Sequence, residues 1–399
     1  PVAALEVPDV VGPDELHVTA DPLPTVQING VVWDQHIIGN TVYVAGSFSQ
    51  ARPAGSPVGV NETPRANVLA YDLTTGDLIT SFVADTNNEV RVVTSSPDGS
   101  QLYIGGLFTS VNGTTRYRIA ALDPATGAVV GGFVAQANYL VSDIVATDST
   151  VFAAGHFTAA GPSGSFERLR LVAFSAADGS VLPWAPAADD RVLAIELSHV
   201  GSRVFAGGQF SEINGEARLG MAAIDAVTGA VLPWEPNNHF WAVGPNGAVT
   251  DLHVDNGAVY GAAYTFGRAS GNFEGIFKAD LATDQITWLE DCHGDTYQIA
   301  TANGYVYKSA HMHFCGNIGG VTQSDSANTQ WGAHMRHAAS YPDVVAGQIR
   351  RDNWSYYNME GYPAPSQTSW APTWEIGTYT GNSQATWSVD ATDEYVVYG

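Results

Sequence analysis

Lysine is nearly missing from this chain of 399 residues: Lys278 and Lys308 are the only two. In all, 16 basic residues stand against 40 acidic ones, a formal charge of −24. A surface of that sign repels phosphate backbones and anionic lipid, which argues against nucleic-acid binding and membrane docking. It suits solubility outside a cell and loosely held cations, although a solvated acidic surface needs no partner. Long apolar runs are missing too. None approaches the ~18 residues of a membrane helix, so a membrane-spanning chain is not expected. There is no Gly-x-Ser-x-Gly elbow, phosphate loop or dinucleotide fingerprint, so no catalytic residue is assigned. The chain opens without an initiator Met or a charged-plus-apolar leader, which fits a mature exported protein whose signal peptide has been removed, or a trimmed one. Cysteine is limited to Cys292 and Cys315. An isolated even pair suits one disulfide in an oxidising compartment, the alternative being two metal thiolates.

What the chain has in quantity is repetition. Val42-Tyr-Val-Ala-Gly-Ser-Phe48 returns as Leu102-Tyr-Ile-Gly-Gly-Leu-Phe108, as Val151 to Phe157 and as Val204 to Phe210. Weaker copies follow at Val259, Val306 and Tyr395. An Arg stands seven residues before an Asp or Ser at Arg65/Asp72, Arg116/Asp123, Arg168/Ser175, Arg218/Asp225 and Arg336/Asp343, with Phe273 before Asp280 in the fifth copy. Each unit then ends in a large aromatic: Phe82, Phe133, Trp184, Trp234, Trp288, Trp370. Short apolar runs separated by Gly-Ser, Asn-Gly and Thr-Gly are strands joined by tight turns. Four antiparallel strands in ~45 residues make one propeller blade. The expected fold is therefore all-β: a seven-bladed β-propeller with four-stranded antiparallel blades.

Residues 1–22 read as an N-terminal arm and 23–399 as a single propeller domain. Leu23-Pro24-Thr25 matches Leu182-Pro183-Trp184 and Leu232-Pro233-Trp234, which places a fourth strand at about Leu23 to Ile28. Thr386 to Asp390 and Tyr395 to Gly399 supply a first and a second strand. Pairing the two ends in one blade would close the ring and remove free sheet edges. The last blade stays incomplete at its C-terminus, either because the natural chain continues or because residues 1–20 fill the gap. Blade six is irregular. It carries an insert at about 340–370 containing Trp354, Tyr356 and Tyr357, and a connection before blade five contains Trp241. These four aromatics are expected on a binding face.

Chemistry is expected on that same face. Cys292 and His293 enter blade six, His311, His313 and Cys315 end its second strand, and His334 and His337 begin its third. Imidazoles converging in this way suit zinc or copper. A His-rich face held by a Cys292–Cys315 disulfide would need no metal. That disulfide is expected, because both cysteines fall on one face of neighbouring blades. Closing a loop of about 24 residues contributes roughly 3 kcal/mol by chain entropy. Asp34, Asp143 and Asp251 each lie eight residues before a second-strand phrase, so they repeat around the axis. Three carboxylates there suit calcium held through water. The preferred reading pairs them with the repeated arginines.

The phrases Tyr103-Ile-Gly-Gly-Leu-Phe-Thr-Ser-Val-Asn-Gly113 and Leu122-Asp-Pro-Ala-Thr-Gly127 resemble those of secreted bacterial β-propellers built from delta-sixty-type repeats. Asp291-Cys-His-Gly-Asp-Thr296 followed by Cys315 resembles a segment of exported members. The resemblance implies an extracellular or cell-surface protein, with appended C-terminal domains or self-assembly, and carries over no catalytic residues. The function expected is a binding or scaffold module that recognises an extracellular glycan or protein through one loop face. The alternative is an extracellular metalloenzyme, an oxidase or hydrolase, with its site in blade six.

Overall fold

The computed structural model describes residues 17–266, 271–321, 336–351, 359–370, 372, 374, 377 and 384–399. Its turns follow from the residues that make them. Asn256-Gly257 and Asn303-Gly304 have positive φ at both positions, the type I′ geometry that matches strand twist, and they join first to second strands. Asp72, Asp123 and Asp225 each accept the backbone N–H groups two and three residues on, fixing the third-to-fourth-strand turns.

The result is all-β. Successive sheets run Val31–Ile38, Thr41–Ser47, Val68–Asp72; then Val90–Ser95, Leu102–Gly106, Ile119–Leu122; then Val141–Ala146, Thr150–Gly155, Leu171–Ser175. Two four-stranded sheets follow. One is Val192–Leu197, Arg203–Gly208, Met221–Asp225, Val231–Leu232, and the other is Gly247–Asp255, Ala258–Thr265, Gly275–Asp280, Ile286–Glu290. The sixth sheet is Thr296–Ala302, Tyr305–Met312, Arg336–Pro342, and the last is Val389–Ala391, Val396–Tyr398. In the first three, the expected fourth strand is reduced to isolated bridges at Leu78, Val129 and Val181. Each first strand lies beside the next, and Val389–Ala391 touches both Thr296–Ala302 and Val31–Ile38. Among the described residues no ladder joins one sheet's first strand to another's.

The core lies between sheets. Each unit's terminal aromatic packs on the second-strand ring of its own sheet: Tyr43–Phe82 at 5.3 Å, Phe152–Trp184 at 5.0 Å, Phe205–Trp234 at 5.1 Å. Gly105 and Gly207 allow the close approach, since a Cβ there would stand 2.6 Å from Val141 and 2.7 Å from Val249.

The N-terminus departs from expectation. Gln27–Ile28 does not join the last sheet; it pairs with Ala51 and Arg52 on the outer ribbon of the first. The reason lies in the repeat, since Thr86, Ala137 and Ala188 bridge to Val111, Ala160 and Ile213 at equivalent places. The segment entering a blade clasps that blade's own ribbon. The arm lies over the sixth sheet and reaches the last: His17 packs among Tyr305, Tyr307 and Trp370, Trp370 donates to the Thr19 carbonyl, and the arm shares a cavity wall with Val396 and Tyr398. In the insert, Gly347–Gln348 pairs with Pro363–Ala364, which lies along the Ile286–Glu290 edge, burying Ile349, Met359 and Ala364.

Candidate functional site: the axial mouth

One column of the repeat builds the site. In six blades the first strand carries a register shift against the second, at Val32/Asp34, Val90/Val92, Val141/Asp143, Val192/Ala194, Val249/Asp251 and Thr296/Gln298. A bulge inserts one residue and re-aims its side chain. The extra residues are Trp33, Arg91, Ser142, Leu193, Thr250 and Tyr297, and all six line one cavity of about 690 Å³. Trp387 occupies the equivalent place in the last blade and lines it too. This is the end of the channel where fourth-to-first and second-to-third connections emerge.

The rings form a row. Tyr297 and Trp387 are 4.4 Å apart, Trp387 and Trp33 5.4 Å, and the Arg91 guanidinium lies 4.0 Å over Trp33. Arg91 also meets Glu89 at 3.2 Å. Tyr264, also on the cavity wall, packs against the exposed Phe266 at 5.6 Å. Tyr297 donates to Asp295 at 3.3 Å; burial pushes the Asp295 carboxyl up to about 6. His156 is held down to about 4, by burial first and then by Arg191 and Arg91.

One residue deeper lies the waist of the channel, where Asp34, Asp143 and Asp251 are found. They do not pair with the repeated arginines. The Oδ2 of Asp34 accepts Val93 N–H at 2.8 Å, that of Asp143 accepts Ile195 N–H at 2.7 Å, and that of Asp251 accepts Ile299 N–H at 2.7 Å. Each carboxylate thus ties its blade to the next. Gln298 does the same with Val389 N–H, and its amide reaches Asp34 at 2.8 Å. Arg65, Arg116 and Arg168 instead bond carbonyls of their own blades, at Thr80, Val130 and Leu182. The arginines sit at the outer ends of third strands, too far from the axis to meet the waist. Burial raises all three carboxyls, Asp34 to about 6. Beyond the waist a second chamber of about 500 Å³ adds Glu196 and Asp390, pushed up to about 8 and about 7 by burial.

In blade six, Cys292 and Cys315 form a disulfide with Cα atoms 4.4 Å apart. The His293 and His313 rings are 6.4 Å apart, and His311 and His313 6.5 Å. His337 is buried, with Ala385 N–H on its Nδ1 at 3.4 Å. Among the described residues no three histidines bring ligand nitrogens within 4.8 Å of one another; the group that meets that closely is Glu290 with the two cysteines. His334, Trp354, Tyr356 and Tyr357 lie outside the described residues. Trp241 is 38% exposed but belongs to blade five's outer ribbon, away from the mouth.

The mouth residues went unnoticed in the sequence. Their signal was available as the column just before Asp34, Asp143 and Asp251, which holds a different residue in each of the first six blades and returns to Trp at Trp387.

No family model and no curated protein matches the sequence. Among solved structures, a chain in the "Crystal Structure of Mitotic Checkpoint Complex" is similar over 98% of this chain and 92% of its own, at 11% identity and TM-score 0.52. The "Structure of U3-55K" is similar over 94% and 91%, at 8% identity and TM-score 0.55. The fold is of propeller type. At such identity the likeness extends to the fold alone.

Proposed function

We propose that this propeller is a binding module of the cell surface or exterior, which takes an extracellular glycan at its axial mouth. One observation carries the reading: the repeat is broken where seven blades aim a residue at one cavity, and there Trp33, Tyr297 and Trp387 form a continuous aromatic row. A recurring residue serves the blade, whereas a varied column serves a ligand. Flat rings stack on sugar faces, polar groups at their edges take hydroxyls, and about 690 Å³ is the size of a small-ligand site. The disulfide and the acidic surface suit an oxidising exterior. The architecture we infer is a seven-bladed ring whose ends meet at the last blade, built from repeats of the delta-sixty type.

The test is a glycan array followed by titration with the intrinsic tryptophan signal as readout. Binding of a glycan, weakened about tenfold or more by Trp387→Ala, supports the reading. An array without a hit, or a protein ligand whose affinity ignores Trp387→Ala, overturns it.

A further inference from the structure

We propose, resting on the glycan reading above, that the sugar taken at the axial mouth is cationic: an amino sugar whose ammonium faces the carboxylates of the channel. The charged and titratable groups lining the mouth are Asp34, Asp143, Asp251 and Asp295 against Arg91 and His156, with Tyr264 and Tyr297, whose hydroxyls burial keeps neutral. Arg91 is already engaged by Glu89 and by the face of Trp33. His156 is held uncharged near neutral pH. Near His156, Arg191 and Asp190 act on the imidazole with opposite sign.

Among the described residues no cation answers the four carboxylates. Among the described residues none of them is in an ion pair; their partners are backbone N–H groups, the Gln298 amide and the Tyr297 hydroxyl. The two lysines are committed elsewhere, Lys278 to Asp343 at 2.7 Å and Lys308 to Glu290 at 3.0 Å. Buried carboxyls without a counter-charge hold their protons more tightly, the direction found for all four. A neutral sugar would leave that imbalance in place. A bare metal ion would make little use of the aromatic row. An amino sugar uses both, its ring on Tyr297 and Trp387 and its ammonium toward Asp295 and the waist. Seating it replaces protons on the carboxyls, so binding releases protons.

The experiment is calorimetric titration of the full chain at pH 6.5. The probes are the β-1,4-linked disaccharide of glucosamine, its N-acetylated form and cellobiose, each in two buffers of different ionisation enthalpy. The diamine should bind about tenfold or more tighter than cellobiose, with a buffer-dependent heat that reports proton release. Asp295→Asn should shrink the diamine's advantage about tenfold. If the acetylated or neutral disaccharide binds as tightly as the diamine, the cationic proposal falls and the glycan reading stands. If none of the three binds, the cationic proposal falls, and the glycan array alone decides the glycan reading. Should the diamine bind while Asp295→Asn and Trp387→Ala leave it unaltered, the amine is held elsewhere and the proposal is overturned. Thermal unfolding checks each variant, and should Asp295→Asn fail to fold, the buffer-dependent heat of the unaltered chain decides.

Discussion

Lys308 has no exposed side-chain surface, and its ammonium lies 3.0 Å from both oxygens of Glu290, which is equally buried. Tyr341 donates to the same carboxylate at 3.0 Å and stands 3.7 Å from the Cys292 sulfur and 3.5 Å from that of Met312. The setting decides the energetics. An exposed pair such as Arg218–Glu216 is worth about 0–1 kcal/mol. Breaking a buried pair strands a charge that water cannot reach and costs about 3–5 kcal/mol. Lys308→Met should therefore destabilise the chain by about that much in denaturant unfolding, and adding Glu290→Gln should restore most of it. A loss under about 1 kcal/mol in the single variant would show that the ammonium does not hold Glu290. The disulfide beside the pair closes a separation of 23 residues, which contributes roughly 3 kcal/mol by loop closure.

At the scale of the element, the inner strands and the outer turns respond oppositely to pH. Burial raises Asp34 to about 6, Asp390 to about 7 and Glu196 to about 8, and raises Asp143 and Asp251 as well. The folded chain therefore holds more protons than the unfolded one between about pH 4 and 8, so this contribution falls as pH rises through that window. Turn carboxylates go the other way. Hydrogen bonds from Thr and Ser hydroxyls and backbone N–H groups lower Asp72, Asp123, Asp225 and Asp280, and hold Asp98 at about 2, giving stability that is lost as pH falls below about 4. Thermal stability should therefore peak near pH 5 and fall by about 5 °C toward pH 8. Asp143→Asn with Asp251→Asn should flatten the alkaline limb, and an unchanged slope in scanning calorimetry would rule out the waist as its source. These elements were unevenly legible. The second-strand phrase and the Asp-x-x-Thr-Gly turn recur because the blade needs them, so one sequence displays them as a pattern. Trp33, Arg91, Ser142, Leu193, Thr250 and Tyr297 share a position but not a chemistry, and a bulge leaves no residue signature, so the mouth stayed hidden. The Asp–Arg pairing failed for a related reason: both types recur, but sequence spacing gave no distance from the axis.

Across the whole molecule, the last of the successive sheets has the fewest described strands. It has two, Val389–Ala391 and Val396–Tyr398, against three or four in each of the six sheets named before it. Hydrogen bonds to both neighbouring sheets hold it. Asp390 accepts the Ile37 N–H at 2.9 Å, Ser388 accepts the Gln35 amide at 3.2 Å, Ser309 donates to the Trp387 carbonyl at 3.1 Å, and Val389 N–H donates to Gln298 at 3.0 Å. The arm adds contacts from outside. His17 lies 4.5 Å from Tyr305 and 6.0 Å from Trp370, bonds Ser340 at 2.8 Å, and with Thr19 to Leu23 walls a cavity of about 480 Å³ against Trp374 and Tyr398. A sheet with few ladder bonds opens before the others, so its covering segment should set the weakest point of the fold. Removing residues 1–25 should lower the unfolding midpoint by roughly 3–5 °C, the equivalent of about 2–4 kcal/mol in a chain of this size. His17→Ala alone should give about a third of that. Amide exchange should then quicken first in Val389–Ala391 and Val396–Tyr398, with the Leu102–Gly106 and Arg203–Gly208 strands unchanged. Because the mouth includes Trp387 of this sheet, the truncated chain should also lose ligand affinity without any change to the other residues that line it. Uniform loss of protection would mean that the sheets unfold as one unit. Truncation without effect on midpoint or exchange would mean that the arm is not a clasp.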